Sequence, residues 1–170
     1  MSKPLILIVD DNQANIKILV EFLSNNYEVV VSLTGEDALE IINEQKIDLI
    51  LLDIFMPHMD GFEVCEKIYE KYNRYDIPII FVTASDNDKD IEKGFNLGAV
   101  DYITKPFRKV EILSRVKTHI LLKDYKNNLE EKVKKEIEKN KLKEKIMFHQ
   151  SKLVSIVKWP IALPINGDNH

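Results

Sequence analysis

Five polar side chains stand where short apolar runs stop. Asp10 and Asp11 follow Leu5–Val9, Asp53 follows Leu49–Leu52, Thr83 follows Ile79–Val82, and Lys105 comes just after Val100–Ile103. Brought to one edge, they would set three carboxylates, a hydroxyl and an ammonium against one another. Carboxylates a few ångströms apart repel and raise one another's pKa. A hard divalent cation relieves this, and Mg2+ typically binds through a few carboxylates while keeping several waters. A cation beside a carboxylate nucleophile, with a hydroxyl and an ammonium to neutralise equatorial oxygens, suits phosphoryl transfer. Taken singly, each residue has a plainer reading. An acidic pair after a strand is often a helix cap, and Asp11 or Asn12 could cap the helix that follows. A strand-end threonine and a solvated lysine are ordinary too. Their joint placement at four strand ends is what points to chemistry.

The elements that would position them are legible as an alternation. A fifth apolar run, Val29–Ser32, joins the four above, and all are short and rich in β-branched residues, as strands buried on both faces are. Between them lie segments of helical period, marked for example by Ile16, Leu19 and Leu23, or by Val64, Cys65 and Ile68. Five strands alternating with five helices predict an α/β fold with a doubly wound parallel sheet and right-handed crossovers. In such sheets ligands bind beyond the carboxyl ends of the strands, where strand order reverses. Met56-Pro57 and Asp60-Gly61 are expected to shape the loop after the third strand, with Gly61 at positive φ. His58 is expected to be exposed there, and Cys65 to lie on the buried stripe of the third helix. Tyr69, Tyr72 and Tyr75 read as surface or helix-end aromatics.

A length of 170 residues suits one compact domain plus an appendage. The net charge of −4 supplies no basic face for nucleic acid. A single cysteine excludes an internal disulfide and fits a reducing compartment. No stretch approaches the length of a membrane span, and the first apolar run is too short for a signal sequence. The expectation is a soluble, cytoplasmic chain with neither nucleic acid nor membrane among its partners.

The stretches ILIVDDNQAN, DLILLDIFMPHMDGFEVCEKI, PIIFVTAS and GAVDYITKPF resemble, in order and in spacing, the receiver domain of two-component response regulators. The resemblance covers about Pro4 to Leu122, placing a receiver domain over residues 1–122, and implies a flavodoxin-like fold. It implies that Asp53 is the phosphoacceptor, and that Asp10, Asp11, Asp53 and the backbone carbonyl of Ile54 hold Mg2+. Thr83 and Lys105 would each bond a phosphoryl oxygen, and Tyr102 would be the switch aromatic that turns inward as Thr83 is drawn to the phosphate. The Lys105–Pro106 bond is expected to be cis. Phe55 and Ser85 fall where the family modulates phosphate lifetime. The implied donor is a histidine kinase or a phosphotransfer protein. Such a domain catalyses only its own phosphorylation and dephosphorylation, and no kinase catalytic domain or helix-turn-helix is legible after residue 122.

Residues 123–155 form a charged helical linker in this reading. Nine lysines and six acidic residues occupy positions 123–145 without a glycine or proline. Leu129, Val133 and Ile137 recur every fourth residue, with Glu131–Lys135 as a favourable i,i+4 pair. A parallel coiled coil that makes the chain a homodimer is one reading; a single solvated extension of the fifth helix is the other. Residues 156–170 are expected to be an unstructured tail. Shifting their reading frame by one nucleotide permits GEMANSIAHQWRQP, a histidine-kinase phosphoacceptor box. Phe148–Leu153 likewise resembles the segment leading into the dimerisation helices of such kinases. The chain then reads as a frameshifted or truncated receiver–histidine kinase hybrid whose kinase part is lost, with an ordinary unstructured tail as the alternative.

Overall fold

The computed structural model describes residues 2–157. Its elements run β1 (Leu5–Val9), α1 (Gln13–Leu23), β2 (Glu28–Ser32), α2 (Gly35–Glu44), β3 (Leu49–Asp53), α3 (Gly61–Lys71), β4 (Ile79–Thr83), α4 (Asp88–Leu97), β5 (Asp101–Thr104) and α5 (Lys109–Val157). The strands form one parallel sheet in the order β2-β1-β3-β4-β5. Strand order therefore reverses between β1 and β3, so the residues after β1 adjoin the end of β3.

Alternate residues of each strand feed separate cores. Leu7, Val9, Ile50, Leu52, Ile79 and Phe81 pack with Ala38 and Ile42 of α2 and Val64, Cys65 and Ile68 of α3. Ile6, Ile8, Leu49, Leu51, Ile80 and Val82 pack on the other face with Ile16, Leu19 and Leu23 of α1 and Ile112, Val116 and Ile120 of α5. Both faces of β1, β3 and β4 are thus buried, which explains their unbroken apolar character. Cys65 is fully buried, and burial, helped by Glu66, pushes its thiol up to about 12, so it behaves as a small apolar residue. Gly94 of α4 lies so close to Phe81 that a Cβ would come within 2.9 Å of the ring.

Two compact units emerge, one ending at Lys126 and the other beginning at Asn127. The first extends past residue 122 because polar anchors fasten the lower part of α5. Lys123 Nζ lies 3.0 Å from Asp48 Oδ1, and the Lys123 side chain is only 7% exposed. Asp48 also accepts the Leu5 N–H on Oδ2 at 2.9 Å and donates its own N–H to the Leu5 carbonyl. Lys126 Nζ lies 3.2 Å from Asp76 Oδ1, with its charge over the Tyr75 ring. Lys123 therefore belongs to the globular part and not to a solvated linker. At the other edge Asp101 joins β5 to α5, bonded by Arg115 and His119. Burial pushes its carboxyl up, but hydrogen bonds from His119, Arg115 and the Tyr102 N–H prevail and hold its pKa at about 2.

Tyr69 is no surface aromatic. Its hydroxyl donates to the Ile77 carbonyl at 3.1 Å and accepts the Ile79 N–H at 3.2 Å, pinning α3 to the start of β4.

The second unit is helical from Asn127 to Val157, with Glu131 and Lys135 paired at 3.1 Å. Ile156 and Val157 belong to the helix and not to the unstructured tail expected from residue 156. The remainder of that segment, with the frameshift reading it carried, lies outside the described residues. Among the described residues no helix is long and apolar enough to cross a membrane.

Candidate functional site

Asp10 follows β1 and Asp53 ends β3, so the strand-order reversal sets them side by side. Asp10 is 1% and Asp53 5% exposed, while Asp11 is exposed. One carboxylate oxygen from each of the three lies within 4.8 Å of the others. Asp10 is held from several sides. Its Oδ1 accepts the Asn12 N–H at 2.8 Å, and its Oδ2 accepts from Asn15 Nδ2 at 3.2 Å and Lys105 Nζ at 3.3 Å. The same ammonium stands 3.5 Å from Asp53 Oδ2. The Lys105–Pro106 peptide is cis. Asn12, and not Asp11, caps α1, accepting the Ala14 N–H at 2.9 Å.

Thr83 is fully buried at the end of β4, next to β3. Its Oγ1 accepts the Ser85 N–H at 3.3 Å. The Tyr102 phenol donates to the Ser85 carbonyl, so its ring is turned toward the loop that follows β4. Ser85 Oγ bonds Asp90 Oδ2 at 3.1 Å, tying this loop to the first turn of α4. Strand-end spacing thus brings Asp10, Asp11, Asp53, Thr83, Lys105 and Tyr102 to one edge of the sheet.

Burial pushes the Asp53 carboxyl up to about 6, and the charge of Asp10 adds to the effect. Lys105 and the Phe55 N–H pull the other way without prevailing. The cluster therefore carries more negative charge than one lysine balances. Hard carboxylate oxygens in excess of nearby cationic charge fit a divalent cation such as Mg2+.

The Ile54 carbonyl accepts the Gly61 N–H at 2.8 Å, which helps to start α3 and leaves its second lone pair open. One expectation for the loop after β3 needs correction. Positive φ falls on His58, at 67°, and not on Gly61. Gly61 serves a different need, because a Cβ there would meet the Asp53 carbonyl oxygen at 2.2 Å and Ile54 Cα at 2.8 Å. Only a residue without a side chain lets α3 begin against the Asp53 backbone. Sequence reasoning also passed over Asn15. Its available signal was a short donor one turn into the helix that follows the acidic pair.

Comparison with known proteins agrees with this geometry. Residues 6–117 match the response regulator receiver domain family model. A probable cyclic di-GMP phosphodiesterase of Vibrio cholerae is 43% identical over 129 residues, 76% of this chain and 29% of that protein. The regulatory protein VanR of Enterococcus faecium is 42% identical over 116 residues, 68% of this chain and 49% of that protein. The chain thus spans under half the length of either relative. A CheY-like receiver domain protein from Methanospirillum hungatei superimposes with a TM-score of 0.69 at 30% identity, covering 74% of this chain and 99% of that one. The BeF3-activated DrrB receiver domain, from Thermotoga maritima, gives 0.64 at 36% identity, covering 69% and 97%. A doubly wound sheet with acidic residues crowded at its strand-order reversal, matched by both the family model and these structures, makes this chain a member of the response regulator receiver domain family.

Proposed function

We propose that the chain accepts a phosphoryl group on Asp53, with Mg2+ bound by Asp10, Asp11 and Asp53, from a histidine kinase or phosphotransfer protein in the cytoplasm. The carrying observation is the shared ammonium of Lys105, within 3.5 Å of both Asp10 and Asp53. An Asp53 oxygen forms the new O–P bond while the bond from phosphorus to the donor breaks, its electron pair leaving with the donor. Bound Mg2+ would neutralise charge on the transferring group. Lys105 would follow the new charge from the carboxylates to a phosphoryl oxygen. The Thr83 hydroxyl would donate to a charged phosphoryl oxygen, since bonds to ionised groups are the stronger ones. Thr83 Oγ1 holds the Ser85 N–H and the Ser85 carbonyl holds Tyr102, so that move would pass through Ser85 into the face made by α4, β5 and α5 as a population shift.

The test is incubation with a small phosphodonor, followed by intact mass measurement. One phosphoryl group per chain is expected with Mg2+, and none once a chelator has removed the metal. Equal labelling under both conditions overturns the metal-dependent reading.

The helical output is read as a dimer of two copies. Leu129, Val133, Ile137, Leu142 and Ile146 are each 44–59% exposed. A lone helix gains little from so many uncovered apolar side chains, whereas a second copy buries them. Replacing Leu129 and Ile137 together by Asn is expected to convert a dimer into a monomer by light scattering after gel filtration. An unchanged mass for the substituted chain removes the coil as the dimer contact.

A further inference from the structure

Asp10 satisfies three donors, and of the two side chains among them Asn15 has no part in the chemistry above. Asn15 is the third residue of α1, a helix fixed by the burial of Ile16, Leu19 and Leu23. Its backbone N–H faces the Asn12 cap at 3.4 Å, so the residue is fastened at its own main chain. From there its carboxamide reaches back past the cap to Asp10 Oδ2 at 3.2 Å. That oxygen is also the one Lys105 uses, at 3.3 Å, while Oδ1 is engaged by the Asn12 N–H.

We propose that Asn15 is a positioning residue for Asp10, one that sets the affinity of the carboxylate cluster for a divalent cation. The inference rests on the phosphoacceptor reading above. Lys105 divides itself between Asp10 and Asp53, and an incoming phosphoryl group draws it away from Asp10. Asn15 is then the donor left on Oδ2. It is neutral, so it orients the carboxylate without cancelling the charge that attracts the cation. It also stands on a helix rather than on a long flexible stem, so it does not leave with the phosphoryl group. Donors bonded to a ligating carboxylate commonly govern metal affinity by about 10- to 100-fold.

Asn15→Leu keeps the approximate volume and removes the donor. Calorimetric titration of the full chain with Mg2+ is expected to show affinity weakened by about tenfold or more, with the metal-free melting temperature close to that of the parent. Asn15→Ala serves as the second variant where leucine is not accommodated. Tyr69→Phe is the comparison for a purely structural loss. It removes the hydroxyl that pins α3 to the start of β4, the end of the sheet away from Asp10, and is expected to lower the melting temperature while leaving Mg2+ affinity unchanged. Weakening of less than about tenfold in Asn15→Leu, or tighter binding, overturns the proposal. So does a weakened affinity accompanied by a melting temperature as low as that of Tyr69→Phe, which marks Asn15 as a helix-start residue. A parent that binds no Mg2+ defeats the site reading itself. A parent that binds it beside an unaffected Asn15→Leu defeats only the role of Asn15.

Discussion

With Asp53 replaced by Asn, phosphoryl labelling is expected to vanish, and the metal-free protein is expected to melt higher than its parent at about pH 8. The first half follows from chemistry, since a carboxamide oxygen is a poor nucleophile and offers no stable acyl phosphate. Label in the variant equal to that in the parent would remove Asp53 as the acceptor. The second half follows from the site's electrostatics. Burial, and then the charge of Asp10, raise the Asp53 pKa to about 6. An unfolded aspartate titrates near 4, so the folded state binds the proton more tightly and its charge opposes folding above pH 6. Two pKa units correspond to roughly 3 kcal/mol. The sign is fixed by linkage: the penalty is full above the folded pKa and fades as pH falls from about 6 towards 4. The parent and the variant should therefore converge in acid. Thermal melts in chelator across that range measure the gap, and a variant that melts lower than its parent in the alkaline arm contradicts the account. Mg2+ should raise the parent's melting temperature more than the variant's, because the parent alone offers the full set of carboxylates.

Asp48→Ala is expected to destabilise the receiver by about 2–4 kcal/mol although it stands at the opposite end of β3 from Asp53. Two groups lose their partner at once. The Lys123 ammonium, 7% exposed at its side chain, loses the carboxylate 3.0 Å away. The Leu5 N–H loses the acceptor at 2.9 Å that begins β1. Removing one member of a buried pair is costly because the other charge stays behind, and the 30% exposure of Asp48 moderates the loss by letting water in. Asp48→Asn retains an acceptor for Leu5 and should lose about half as much. Lys123→Met, which fills the same space without a charge, should cost less than about 1 kcal/mol. Urea midpoints at constant slope provide the comparison. An Asp48→Ala midpoint matching that of Lys123→Met would show that no uncompensated charge is left behind.

The contrast between these residues explains what a sequence can convey. Asp10, Asp53 and Thr83 were legible because each ends an apolar run of strand length, and the parallel topology then dictates where strand ends go. Lys105 was legible from its place just after the last such run. Lys123 was not, for it is one lysine among nine in a charged stretch, and what buries it is Asp48, 75 positions earlier. Tyr69 carries no local mark either, since its partners are main-chain groups of Ile77 and Ile79. The Ile54 carbonyl and the close approach of Gly61 to Asp53 are likewise backbone matters. Side-chain type reports on burial and charge, whereas a particular carbonyl's engagement depends on where a distant helix starts.

The bond between Asp48 and Lys123 also governs how the domain can be moved between genes. A cassette cut after Leu122 transfers every residue of the acidic site, yet it leaves Asp48 without its ammonium and Asp76 without Lys126. Translation imposes the same order. β1, β3 and their carboxylates leave the ribosome well before residue 123 does, so the start of the first strand waits on a turn of α5 made much later. The unit that recombination can exchange intact ends at Lys126.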